Sequence, residues 1–290
     1  MNVTNIMQLL VNGLALGFIY ALVGIEYTLV WNSTGLLNFS HDKFIQLGAY
    51  IFAGSCILEW SFSPVVAVIT TRLIMFILGV LVAYGIFNPL RNMESRLFAI
   101  VGTVILGRIV QEVCRIIWGP ETFTYTGFLR GTFQFGDLVI AKCYVYIIVI
   151  AVAIVVLLEL LFKTTKVGRA IRCVAQNKMA SELMGINVKA NIAATIGLSG
   201  VICGTIGILV IPQFNVSLTM ASMIGLKGFT AGVIGGFGNI PGAIIGGLLL
   251  GVVENASVLA IPTIYKDCVS FVFLILFLLV KPNGLMGSKR

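Results

Sequence analysis

Long apolar runs constrain this chain more than any other feature. Eight stretches, at 6–30, 36–58, 64–87, 97–118, 140–162, 191–212, 241–260 and 265–281, each approach the length needed to cross a bilayer as a helix, which is about 20 apolar residues. A ninth, glycine-rich stretch at 224–238 is short for a full crossing. A β-barrel would show alternating segments of about 10 residues instead of continuous runs. Of the 290 residues, 59% are hydrophobic and only 10% charged, against about 25% charged in soluble domains. No globular core of this length could bury so much apolar surface. The expected fold is therefore an all-α integral membrane protein: a polytopic bundle of about 8–9 transmembrane helices.

A net charge of +8 would suggest nucleic acid in a soluble protein. Here the excess lies largely between apolar runs, where it sets orientation, and no nucleic-acid partner is expected. Arg91 and Arg96 in the 88–96 loop, six basic residues within 163–190, and Lys281, Lys289 and Arg290 mark three cytoplasmic segments. The 119–139 loop, with Glu121, Arg130 and Asp137, then faces outward. Counting through the runs puts the N-terminus outside and the C-terminus in the cytoplasm, provided 224–238 also crosses. The first run lacks a basic start and a small-residue cleavage site, so it reads as a retained span. No linker divides residues 1–290, which read as one membrane domain.

Motifs for catalysis are missing. There is no G-x-x-x-x-G-K-[ST] to cradle nucleotide phosphates, no H-E-x-x-H, no G-x-S-x-G, and a single histidine. Cys56, Cys114, Cys143, Cys173, Cys203 and Cys268 are scattered without a C-x-x-C pair. No catalytic residue, cofactor or metal site is expected.

Ionisable residues within apolar runs are functional candidates by default, because inserting them is costly. Glu26 lies close enough to the end of its run to reach headgroup water. Glu254, followed by Asn255, is deeper and points to a neighbouring helix or a cavity. Arg108, Glu112 and Arg115 share one helix face and can neutralise one another. Asn38, Ser40, His41, Asp42 and Lys43 form a polar patch between the first two runs. A histidine beside a carboxylate can relay protons; more often such a patch caps a helix, with Asn38 or Ser40 as the cap of the helix that follows. In "GLKGFTAGVIGGFGNIPGAIIGGLLLGVVEN", small residues four apart permit close helix contact. The Asn239–Ile240–Pro241–Gly242 interruption breaks the helix near Gly235 and Gly236. These glycines serve either tight packing or a substrate path.

One polar stretch stands out, "KVGRAIRCVAQNKMASELMGINVKA" at 166–190. Read as a helix from about 168, Ile171, Val174, Ala175, Met179 and Leu183 recur at three- and four-residue steps. Gly185 and Asn187 offer a stop. A short amphipathic helix of this kind can lie on headgroups or dock on a soluble partner.

Three regions together resemble the permease subunit of high-affinity branched-chain amino acid ABC importers. They are "GLALGFIYALVGIEYTLVWNSTGLLNFSHDKFIQLGAY"; "VGRAIRCVAQNKMASELMGINV"; and the glycine-rich segment with "YKDCVSFVFLILFLLVKPNGLMG". The resemblance implies a bacterial or archaeal cytoplasmic (inner) membrane protein embedded in lipid. Its implied partners are a second homologous permease subunit, two ATP-binding subunits and an extracytoplasmic solute-binding protein. ATP hydrolysis would lie in those separate subunits. The resemblance also implies that the coupling loop at about 163–190 carries a short cytoplasmic coupling helix that docks on an ATPase. Gly168, Arg169, Ile171, Arg172, Val174, Ala175, Gln176, Met184, Gly185 and Ile186 would form the contact. Arg169 and Arg172 would face acidic or carbonyl groups, and Ile171, Val174 and Met184 would fill an apolar groove. Asn38, His41, Gly235, Gly236, Glu254 and Asn255 are candidates for the translocation pathway. Where the family usually reads N-F-[AS]-H-G-E, this chain carries Asp42 and Lys43, and Glu26 stands at a common glycine. A compensating Glu26–Lys43 pair is one consequence to examine. The alternative reading is an ion-coupled secondary transporter of small polar solutes, with Glu254 or His41 as the coupling group.

Overall fold

The computed structural model describes residues 3–91, 96–125, 129, 131–135 and 138–287. Arg130, Asp137, Lys289 and Arg290, used above to orient the chain, lie outside the described residues. The chain is 78% helical, with almost no sheet. Helix α1 covers Val3–Thr34, and α2 (His41–Ala49) continues as a π-helix over Tyr50–Glu59. Helix α3 (Pro64–Val82) passes through a π-helical turn, Ala83–Phe87, into α4 (Asn88–Arg91). Helix α5 is Arg96–Trp118 and α6 Lys142–Thr164; α7 (Lys166–Gln176) and α8 (Lys178–Leu183) follow. Then come α9 (Val188–Val210), α10 (Ser222–Gly235), α11 (Ile240–Ser257) and α12 (Lys266–Val280). Strands β1 (Thr132–Phe135) and β2 (Leu138–Ala141) form an antiparallel hairpin that pairs Thr132 with Ala141. No strand was expected here; "TFQF" and "LVIA" are too short to stand out from apolar runs by periodicity.

Among the described residues, seven helices are long and apolar enough to cross a membrane. They match the expected runs except 36–58 and 224–238. The first exception starts with His41, Asp42 and Lys43, because helix α2 begins only at residue 41. The second is α10, whose 14 residues reach only about 21 Å at 1.5 Å per residue, short of a core about 30 Å thick.

The chain forms two compact units. The first comprises residues 1–28, 126–154 and 223–290. There α1, α10 and α11 approach through glycine: a Cβ at Gly17 would lie 2.9 Å from the Leu248 Cα, and one at Gly24 3.2 Å from the Gly232 nitrogen. Between α10 and α11 the chain turns at Gly236 and Gly238, with φ of 100° and 96°, which glycine adopts without strain. Asn239 then caps α11, accepting a bond from the Gly242 N–H at 3.1 Å. The C-terminal segment folds onto this turn: the Leu285 and Met286 N–H groups donate to the Ile234 and Gly235 carbonyls at 2.8 and 3.0 Å. The α10–α11 turn and the tail therefore lie on the same side.

The second unit comprises residues 29–125 and 155–222. Helix α9 is its centre. A Cβ at Gly48 of α2 would sit 2.6 Å from the Gly204 Cα, and one at Gly79 of α3 2.6 Å from the Ile196 carbonyl oxygen. Small residues thus let α2 and α3 press their backbones onto α9.

Candidate functional site

In the second unit, the polar stretch folds as two short helices set on α9, where the sequence suggested one. Asn177 divides them. Its extended backbone (φ −154°, ψ 107°) ends α7, and its side chain accepts from the Ala180 N–H at 3.0 Å to begin α8. Thr165 caps α7 by accepting from the Gly168 N–H at 2.9 Å. Gly168 is buried, and a side chain there would collide with the Leu161 carbonyl and the Phe162 backbone at the end of α6. The residue is glycine because two backbones meet.

Ile171 and Val174 are buried within this chain, at 4% and 0% exposure. They anchor α7 and cannot fill a partner's groove, which corrects the role expected for them. Periodicity identified an apolar face correctly but could not say which body it meets. Arg169, Arg172, Ala175, Gln176 and Gly185 are exposed, and Ile186 is half-buried. Met184 is 82% exposed, and Met179 and Leu183 join it at 75% and 84%. Lys178 ties α8 back to the end of α1, donating to the Thr34 carbonyl at 2.6 Å. Gly185 has φ 79° and ends this element.

Near the start of α2, Asn38 accepts from the Ser40 N–H at 3.0 Å and from its hydroxyl at 2.6 Å. Ser40 occupies the cap position, yet its side chain makes no capping bond. His41 is buried, with Nδ1 3.4 Å from the Asn38 amide nitrogen. Lys43 pairs with Asp42 at 3.0 Å and donates to the Ser222 hydroxyl at 3.0 Å. Arg108 donates to Gln111 at 3.1 Å, while Glu112 pairs with Arg115 at 3.1 Å. The expected three-residue stripe is therefore a pair, with Arg108 turned elsewhere.

The first unit holds a buried network of charges. Glu254, 1% exposed, accepts at Oε1 from Lys227 at 2.9 Å and from the Tyr20 hydroxyl at 3.2 Å. Lys266 lies 3.3 Å from the same oxygen, and Ser270 donates to Oε2 at 2.9 Å. Lys227 also pairs with Asp267 at 2.5 Å, and Lys266 reaches the Asn255 oxygen at 3.3 Å. The sequence pointed to Glu254 and Asn255 but missed Lys227, an ammonium standing inside a glycine-rich apolar run, 27 residues earlier. Gly235 and Gly236 are packed against the Gly242 and Gly287 backbones. Their geometry favours close packing over a path lining.

A family described as "Branched-chain amino acid transport system / permease component" matches residues 9–278. The chain belongs to this family. It is 32% identical to the high-affinity branched-chain amino acid transport system permease protein BraD of Pseudomonas aeruginosa, over 97% of this chain and 95% of that one. It is 31% identical to the corresponding permease LivH of Escherichia coli K12, with the same coverage. A probable LivH permease of Methanocaldococcus jannaschii is 24% identical over 92% of this chain and 88% of its own. Among solved structures, PsaBC from Streptococcus pneumoniae in complex with Fab has a similar fold, with TM-score 0.54 and 11% identity, covering 97% of this chain and 93% of that one. Membership and the seven apolar helices make this a multi-pass transport permease of the inner membrane.

Proposed function

We propose that the chain is the membrane-spanning subunit of an ABC importer for branched-chain amino acids. It forms half of the pathway with a second homologous permease and performs no chemistry. Two ATP-binding subunits drive it, and an extracytoplasmic solute-binding protein delivers substrate. The whole chain acts as one permease domain, with its N-terminus outside and its C-terminus cytoplasmic. On this orientation the chain must return through the membrane at α10, whose 14 residues are too few to span it unaided, and α10 ends on the same side as the tail that folds onto it.

The observation that carries the reading is the surface of α7 and α8. Met179, Leu183 and Met184 are largely exposed on the chain's most polar segment, where aqueous solvent would leave an apolar patch uncovered. Arg169 and Arg172 stand exposed on the preceding helix. An ATPase groove with an apolar floor and an acidic or carbonyl rim covers such a surface. Because Ile171, Val174 and Gly168 lock α7 to α9 and α6, a push on α8 passes into the spanning helices instead of bending a loop.

The double variant Arg169→Glu, Arg172→Glu tests this. It should abolish ATP-driven uptake and weaken co-purification of the ATPase; normal uptake with normal co-purification would refute the docking role. The ion-coupled alternative gains nothing from Glu254. A coupling carboxylate must release and regain its ion, and this one is held by two ammonium groups and two hydroxyls.

A further inference from the structure

Within the second unit, Asp42, Lys43, Arg108, Gln111, Thr219 and Ser222 line a cleft of about 330 Å³. Arg108 lies midway along the span Leu97–Trp118, about 17 Å from its start at 1.5 Å per residue. Charged groups at that depth face water or protein, since lipid solvates them poorly. The lining is also arranged in a particular way. Gln111, 6% exposed, is fixed by donating to the Leu218 carbonyl at 3.0 Å, and its own oxygen holds Arg108. A neutral amide thus orients the guanidinium without cancelling its charge. Asp42 is matched by Lys43, and the Ser222 hydroxyl bridges the two, accepting from Lys43 and donating to Asp42 at 3.3 Å. Two cations and one carboxylate leave the lining one positive charge in excess, at Arg108.

Resting on the importer reading, we propose that this cleft binds the zwitterionic head of the transported amino acid as it passes. The substrate carboxylate pairs with Arg108, and its ammonium takes the place of Lys43 against Asp42 and Ser222. Phe39 and Val104 complete the wall and offer apolar surface to an aliphatic side chain. The volume suits a small solute. The acid–base order at 42 and 43, which departs from the usual family pattern, acquires a use: it places the carboxylate beside Ser222 and keeps the Lys43 ammonium as its stand-in partner between passages.

The test uses the complete complex in proteoliposomes, with L-leucine as probe. Arg108→Gln should lower uptake about tenfold or more, the worth of a charge-assisted hydrogen bond, while the ATPase still co-purifies. Arg108→Lys keeps the positive charge and should recover part of the loss; no recovery would mean that the charge is not what the substrate meets. Val104→Trp, at an exposed position, fills the cleft without altering charge and should also slow uptake in an assembled complex. If both Arg108→Gln and Val104→Trp import leucine within about twofold of the wild type, less than half a kcal/mol, the cleft is not a substrate site and the importer reading stands. A wild-type complex without ATP-driven leucine uptake would remove that reading and this one together.

Discussion

Helix α9 and the span Thr263–Val280 that contains α12 have nearly the same mean hydropathy, 2.0 and 2.1, and opposite surroundings. In α9, 83% of the apolar window is buried within the protein; in α12, 6% is. Side-chain size accounts for the difference. Helix α9 carries Gly197, Gly200, Gly204 and Gly207, and all four are buried. Helix α12 reads "KDCVSFVFLILFLLV" and buries only Ser270. Lipid is as apolar as leucine, so hydropathy says that a helix leaves water but not what it meets. Small residues draw backbones together through packing, and large aliphatic ones leave the helix to lipid or to another subunit.

The comparison predicts its own largest effect. Gly48→Leu and Gly207→Leu would each drive a branched side chain into opposing backbone: Gly204 in one case, Ile45 and Ala49 in the other. Overpacking costs about 1–3 kcal/mol where neighbours can shift, and backbone cannot shift cheaply. The double variant should yield no folded protein by size exclusion in detergent. A folded, monodisperse product would show that α9 is not the packing centre assigned to it.

A second, smaller effect concerns how α12 is held at all. Asp267 and Ser270, near its start, reach Lys227 and Glu254, so polar contacts fasten a helix that packing barely covers. Glu254→Gln leaves Lys227, 6% exposed, with the half-exposed Asp267 as its remaining counter-charge, so the loss should fall below the ~3–5 kcal/mol of breaking a fully buried pair. Thermal unfolding should report that loss. The double variant Lys227→Met, Glu254→Gln should recover part of it, giving a coupling that independent sites would not show. Additive losses would mean that the pair does not fasten the helix.

The sequence made some of this legible and hid the rest for physical reasons. Run length gave the helical class and seven of the crossings, because the cost of burying backbone in lipid leaves so few solutions. The start of α2 at His41 was legible from Ser40 as a cap candidate; that Ser40 makes no side-chain capping bond and is instead held by Asn38 was not. The amphipathic stretch was visible at three- and four-residue spacing. Which residues stay bare was not, because Ile171 and Met184 are both apolar and only packing shows one buried and the other exposed. Glu254 was visible as a misplaced charge, whereas its partners Lys227, Tyr20 and Ser270 are scattered along the chain and meet only on folding. Spacing allowed Glu112 to pair with either arginine; the fold gave it Arg115 and gave Arg108 to Gln111.

The smallest expected effect is also the one that divides lipid from protein as the neighbour of α12. Leu276 and Leu279 are 57% and 77% exposed. Changing both to alanine removes no contact within this chain that a core substitution would, so the isolated subunit should unfold within about 0.5 kcal/mol of the wild type, as at other exposed sites. The same variant in the assembled importer separates two cases that hydropathy cannot. If lipid covers α12, stability of the complex is equally unaffected. If the second permease covers it, truncating two large side chains at an interface weakens association by at least 1 kcal/mol or so for each residue that is a contact anchor, and the subunits separate at lower concentration. A loss confined to the complex would turn the barest helix of this chain into its dimer surface, and the contrast with α9 would then be between packing within a subunit and packing between two.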